Sequence, residues 1–165
     1  MKKMTLSILV DNTSGVLNRV AGLFSRRGYN IDSLTVGETM DPAVSRMTIV
    51  VHGDDEILEQ IVKQIYKLVD VREIDILKDG LSVCRELVLV KVAVDAASRQ
   101  QVIAIADIFR AKIVDVSQKS LMIELTGNQE KITAFLGLLE GFEILQLART
   151  GMTGLSRGTV DADKQ

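Results

Sequence analysis

The sequence predicts an α+β protein made of two consecutive βαββαβ units. Stretches with apolar residues at every second position alternate in order with stretches at helical spacing, and after a polar break at Lys78–Ser82 the same order recurs. The 165 residues suffice for one full-sized domain or two small ones, and the 47% apolar content supplies a core.

Met4 to Val10 alternates apolar and polar over most of its length, as a half-buried strand does. From Val16 to Arg27 the apolar residues Val16, Leu17, Val20, Leu23 and Phe24 share one helical face. Asp11, Asn12, Thr13 and Ser14 offer N-caps upstream, and Gly28 a C-terminal stop. Tyr29 to Val36 reads as a strand, Met40 to Ala43 as a turn around Pro42, and Arg46 to His52 as a strand with Met47, Ile49 and Val51 on one face. Gly53-Asp54-Asp55 opens a second helix with Ile57, Leu58, Ile61, Val62, Ile65 and Leu68 on one side and a solvated Glu59–Lys63 pair on the other. Val71 to Leu77 closes a split ferredoxin-like unit over residues 1–78. A linker is expected over 79–85.

The second ferredoxin-like unit is expected over 86–150. Its strands are Glu86 to Val94, Lys112 to Ser117, Ser120 to Thr126 and Phe142 to Ala148. Its helices are marked by Val102, Ile105, Ala106 and Phe109, and by Ile132, Phe135, Leu136 and Leu139. Residues 151–165 lack periodicity, so a mobile tail is expected there. In such a unit the helices cover one face of the sheet. The other face of the first sheet carries apolar residues too, since both parities are apolar at Ile8 and Leu9 and at Ile49 and Val50. A protein cover is expected there, a second chain or the other repeat, and with it a homodimer or larger assembly.

A net charge of -2 and 4% aromatic residues leave neither a basic field nor stacking platforms for nucleic acid. One Cys and one His exclude an internal disulfide and a zinc or haem site built by this chain alone. No apolar run reaches the ~20 residues of a membrane span, and Met1-Lys2-Lys3 leads straight into a strand pattern, so a cytoplasmic protein without membrane partners is expected. Catalytic residues are not expected. His52 reads as a surface or cap residue, Cys84 as a small filler, Asp54-Asp55-Glu56 as a helix start favoured by the dipole, and Arg26-Arg27 as helix-end charges.

The stretch Val10 to Leu17 is different, because the requirements of a small amino acid converge on it. The N–H groups of a helix start suit a carboxylate, and Gly15, lacking a Cβ, admits close approach. The side-chain oxygens of Asn12 and Asn30 suit an ammonium, and Val10, Ile31, Leu34 or Val36 can line an aliphatic pocket. The plainer alternative is that Asn12 or Ser14 caps the helix and Gly15 only turns the chain.

The run Asn12-Thr13-Ser14-Gly15-Val16-Leu17, with Arg19-Val20 and Leu23 to Leu34, strongly resembles the N-terminal ACT domain of acetolactate synthase regulatory (small) subunits. The likeness continues through Ser45 to Thr48, Lys67 to Val71, Arg85 to Leu87, Ile108 to Val116 and Ala148 to Gly151, and ends in Leu155-Ser156-Arg157-Gly158. It implies a non-catalytic subunit that activates a catalytic (large) subunit and confers feedback inhibition by valine in branched-chain amino-acid synthesis. It also implies a homodimer through the ACT domain with the effector at the interface of two such domains. Carried over by motif, the effector contacts are Asn12, Gly15, Val16, Leu17, Asn30 and Ile31. No cofactor is implied for this chain; thiamine diphosphate, Mg2+ and FAD are expected on the catalytic subunit. The alternatives are a stand-alone amino-acid-sensing module acting on another enzyme or a transcription factor, and a small enzyme on a ferredoxin-like scaffold.

Overall fold

A computed structural model describes residues 1–158 and divides them into two compact units. The first comprises residues 1–84 and the stretch from Met152, the second residues 85–151. The first unit holds β1 (Lys2–Asp11), α1 (Val16–Arg26), β2 (Ile31–Glu38), β3 (Val44–Gly53), α2 (Asp55–Tyr66) and β4 (Val71–Leu77). Next come β5 (Ser82–Ala93), α3 (Arg99–Ile108), β6 (Lys112–Val116), β7 (Ser120–Gly127), α4 (Gln129–Leu138) and β8 (Ile144–Arg149), and last β9 (Thr153–Ser156).

The first sheet has the antiparallel order β2-β3-β1-β4. Leu6 and Ile8 of β1 and Met47, Ile49 and Val51 of β3 face the helices and meet Val16, Val20, Leu23 and Phe24 of α1 and Leu58, Ile61 and Ile65 of α2. The helix starts are built as the sequence implies at α2, where the Asp54 side chain accepts the Ile57 N–H at 3.0 Å. Glu59 and Lys63 lie 2.8 Å apart on its solvent side. After α1 the chain turns through Gly28 (φ +69), and the Tyr29 N–H returns to the Phe24 carbonyl at 3.0 Å. Tyr29 and Asn30 follow that turn outside any strand, so β2 starts at Ile31, later than the sequence suggests.

The second sheet repeats the order as β6-β7-β5-β8. Val88, Val90 and Val92 of β5 and Leu121, Ile123 and Leu125 of β7 form its core with Val102, Ala106, Ile132, Phe135 and Leu139. Phe109 meets Phe135 edge to face with ring centres 5.4 Å apart. β5 begins inside the expected linker, which shrinks to a turn closed by the Leu81 N–H on the Lys78 carbonyl at 3.1 Å.

The chain end differs from expectation. Residues 151–158 are no loose tail: β9 pairs with β5, and Met152 is buried within the first unit. Residues 159–165, the rest of that expected tail, lie outside the described residues. The segment lies over the first sheet on the face away from the helices. The register there aligns Thr35, Thr48, Ser7 and Asp75 in a polar row across all four strands. Met152 bonds to Ser33 and Thr35 at one edge, and Ser156 bonds to Asp75 at the other. The expected cover from a second chain or the other repeat is thus supplied at least in part by the chain's own C-terminal segment. Under it Ser7 and Thr48 are 1% exposed and Val50 5% exposed.

Replacing Phe135 with Ala leaves a cavity at the centre of the second core. We expect a loss of about 3–5 kcal/mol, seen as a lower urea midpoint and faster amide exchange confined to residues 85–151.

Candidate functional site

The loop from Asp11 to Gly15 joins β1 to α1 and is fixed by its backbone. The Asp11 N–H donates to the Asp70 carbonyl at 2.9 Å and the Asn12 N–H to the Ala43 carbonyl at 2.8 Å. The Asn12 side-chain Nδ2 donates to the Pro42 carbonyl at 2.9 Å, which commits the amide nitrogen and leaves the amide oxygen as an acceptor.

None of Asp11, Asn12, Thr13 or Ser14 caps α1. The cap position is Gly15, at φ +86, and no side chain accepts a hydrogen bond from the helix start. The left-handed backbone favours glycine, and a Cβ there would stand 2.9 Å from Nη1 of Arg19, the movable end of a long side chain. In α4, by contrast, Asn128 accepts the Lys131 N–H at 2.9 Å. The first N–H groups of α1 therefore keep their positive partial charge without a side-chain acceptor.

Arg19 is held over Gly15 by Asp70. Its Nε and Nη2 donate to the two carboxylate oxygens at 2.6 and 3.0 Å. The Asp70 side chain is only 12% exposed, and the hydrogen bond from Arg19 holds its carboxyl below the usual aspartate range. The same bond raises the guanidinium of Arg19. Asp11 is paired in turn with Nε of Arg72 at 2.6 Å.

The remaining candidate residues separate by role and by place. Val16 is 3% exposed and belongs to the core, so only its backbone can face a ligand, whereas Leu17 is 48% exposed. Val10, expected as a pocket wall, is buried under the helices, while Val36 is exposed. Asn30 is exposed and donates from Nδ2 to Asp32 Oδ1 at 3.0 Å, and Ile31 is half-buried. His52 reaches the same corner, pairing through Nδ1 with Asp32 at the surface.

Asn30 and Ile31 do not meet Asn12 and Gly15 within one chain. Ile31 is opposite Val51 of β3, which also faces Met4, whereas Asp11 is opposite Val44. The seven steps from Val44 to Val51 put the two groups about 24 Å apart along the strand. Among the described residues no group of three or more His, Cys, Asp or Glu side chains gathers as a metal site would need. No helix among them is long and apolar enough to cross a membrane.

Residues 6–73 match the family described as the AHAS small subunit-like ACT domain, and residues 85–158 match the family described as the small subunit of acetolactate synthase. The acetolactate synthase small subunit of Mycobacterium bovis is 54% identical over 157 residues, covering 95% of this chain and 94% of that protein. The acetolactate synthase isozyme 3 small subunit of Salmonella typhimurium is 49% identical over 154 residues, covering 93% and 94%. The chain belongs to the acetolactate synthase small-subunit family. The small-subunit crystal structure from Thermotoga maritima superposes with a TM-score of 0.89 at 42% identity, over 97% of this chain and all of that one. The ACT match takes in all six candidate residues, and the second small-subunit match includes β9 as well as the second unit. The Arg19–Asp70 pair is the feature sequence reading missed. Its partners lie 51 positions apart, so no local spacing announces it.

The lowered carboxyl of Asp70 fixes the sign of a pH effect. A carboxylate more acidic in the folded than in the unfolded chain stabilises above its unfolded value, about pH 4, and that contribution fades as pH falls through the folded value. Asp70→Asn should therefore lower the urea midpoint at about pH 7 and shrink its drop on acidification to about pH 3. An unchanged acid limb would remove Arg19–Asp70 from the account.

Proposed function

We propose that this chain is the non-catalytic regulatory subunit of acetolactate synthase, activating the catalytic subunit and bringing its inhibition under the control of valine. Family membership over nearly the whole chain supports the association. The match of the second unit to the same small-subunit family disfavours a free-standing sensor for an unrelated enzyme or a transcription factor. On this reading the carbon–carbon bond chemistry, with its thiamine diphosphate, Mg2+ and FAD, belongs to the partner, and both subunits work in the cytoplasm.

The observation that carries the effector reading is the uncapped start of α1 beside an amide oxygen. A zwitterionic amino acid needs donors for its carboxylate and uncharged acceptors for its ammonium. The N–H groups after Gly15 supply the first, and Asn12 supplies one of the second. The other proposed contacts, Asn30 and Ile31, lie at the far end of the sheet. One ligand can touch both groups only if a second chain brings its Asn30 and Ile31 to the Gly15 loop of the first. The effector site is then an interface site in a homodimer of ACT domains, and the ligand favours whichever dimer arrangement it fits best.

Two measurements test this. Calorimetric titration of the chain with valine should give saturable heat, which Asn12→Ala abolishes while activation of the catalytic subunit persists. Mixing Asn12→Ala chains with Asn30→Ala chains should then restore binding at about a quarter of all sites, because a two-fold mixed dimer pairs one intact Asn12 with one intact Asn30. A mixture as silent as the separate variants would overturn the shared site.

A further inference from the structure

Asn30 stands between two fixed neighbours. Tyr29 before it packs against the first core, returns its N–H to the Phe24 carbonyl at 3.0 Å and donates from its hydroxyl to Gln60 Oε1 at 3.2 Å. After it the register of β2 against β3 slips between Ile31, opposite Val51, and Ser33, opposite Val50. Asp32 is thus an extra residue in the ladder, and a bulge of that kind re-aims a side chain.

Both carboxylate oxygens of Asp32 are engaged. Oδ2 is paired with Nδ1 of His52 on β3, and Oδ1 accepts from Nδ2 of Asn30 at 3.0 Å. An ionised carboxylate only accepts, so it takes the amide nitrogen of Asn30 and leaves the amide oxygen. The same choice is made in the Gly15 loop. There the Pro42 carbonyl, also a pure acceptor, takes Nδ2 of Asn12 at 2.9 Å. An unheld amide can turn either its oxygen or its NH2 to a ligand. In this chain an acceptor sets each of the two amides to offer oxygen.

That setting decides which small acids fit. Valine and the 2-oxo acid of the same carbon skeleton share a carboxylate and a branched side chain. They differ at one position, where the ammonium donates and the ketone oxygen only accepts. Transamination interconverts the two, so a site that reports the amino acid must refuse the oxo acid. Two amide oxygens against a ketone oxygen leave three acceptors with no proton between them. A site built to pair with a donor rejects the analogue that lacks it.

We infer that Asp32 is a specificity-determining positioning residue of the effector site. By holding Asn30 through its amide nitrogen, it makes the site select the α-ammonium of an amino acid against the α-carbonyl of the corresponding 2-oxo acid. His52 steadies Asp32 from the neighbouring strand. The inference rests on the effector reading above, in which Asn30 of one chain meets the Gly15 loop of another. Asp32 is the place to test it, because the acceptor that sets Asn12 is backbone and no substitution removes it.

The full chain is titrated calorimetrically with L-valine, alone and in competition with 2-hydroxy-3-methylbutanoate or 3-methyl-2-oxobutanoate. The two competitors carry the same charge, but the hydroxyl can donate a hydrogen bond and the ketone cannot. The parent should bind valine best, and the hydroxy acid about tenfold tighter than the oxo acid. In Asp32→Ala the Asn30 amide is free to turn its NH2 to a ketone. Valine should then weaken, and the hydroxy-to-oxo preference should narrow about fivefold. If Asp32→Ala does not fold, Asp32→Val, a better strand former equally without an acceptor, carries the same readout. A preference unchanged in the variant would overturn the role of Asp32 while the effector reading stands. Both acids gaining equally is such a case, and is what loss of a negative charge alone produces. A parent that binds the two acids equally would overturn it too. A parent that gives no heat with valine would sink the effector reading, and this inference with it.

Discussion

A four-stranded sheet with helices on one side has a second side that must be dealt with, and in this molecule that requirement organises the rest. Side chains of opposite parity on β1 and β3 are buried alike, from Leu6 and Ile8 on one face to Thr5, Ser7, Thr48 and Val50 on the other. Water cannot be the partner of those hydroxyls, so protein must cover them. The chain meets the demand with its last described strand, and this makes the first unit discontinuous in sequence: residues 1–84 are completed by residues that follow the whole of the second unit.

The loop before α1 follows the opposite logic. Where α2 and α4 fill their first turns with the side chains of Asp54 and Asn128, α1 begins on a glycine in a left-handed conformation and gives its first N–H groups no side-chain acceptor. Asp70 keeps the guanidinium of Arg19 directed at Gly15, and the pair is neutral as a whole. A zwitterion can enter such a place without adding net charge. The stability that a side-chain cap contributes is given up there.

Much of this was legible in the sequence, because strands and helices with one buried face advertise their period. Leu6 and Ile8, or Ile61 and Ile65, declare themselves by spacing alone. Gly15 and Asn12 also stand out by residue type, and the structure places both in the loop before α1. What spacing could not supply was long-range pairing. Arg19 with Asp70, and Thr35 with Met152, are 51 and 117 positions apart and are joined by tertiary geometry. β9 escaped for a related reason. Four residues with a glycine at the crowded position show no alternation, and their strand character comes from what they lie on. The distance between Asn30 and Asn12 became visible only through strand register, which places them at opposite ends of β3.

The late arrival of β9 has a consequence for biosynthesis. A ribosome working from the N-terminus releases β1 to β4 well before the residues that seal their far side. Making the roughly 70 intervening residues takes about 4–14 s at ordinary elongation rates. Through that interval the nascent first unit shows Val50 and the Ser7–Thr48 row to its surroundings. Until that strand emerges, this face of the first sheet lacks the cover it has in the finished fold.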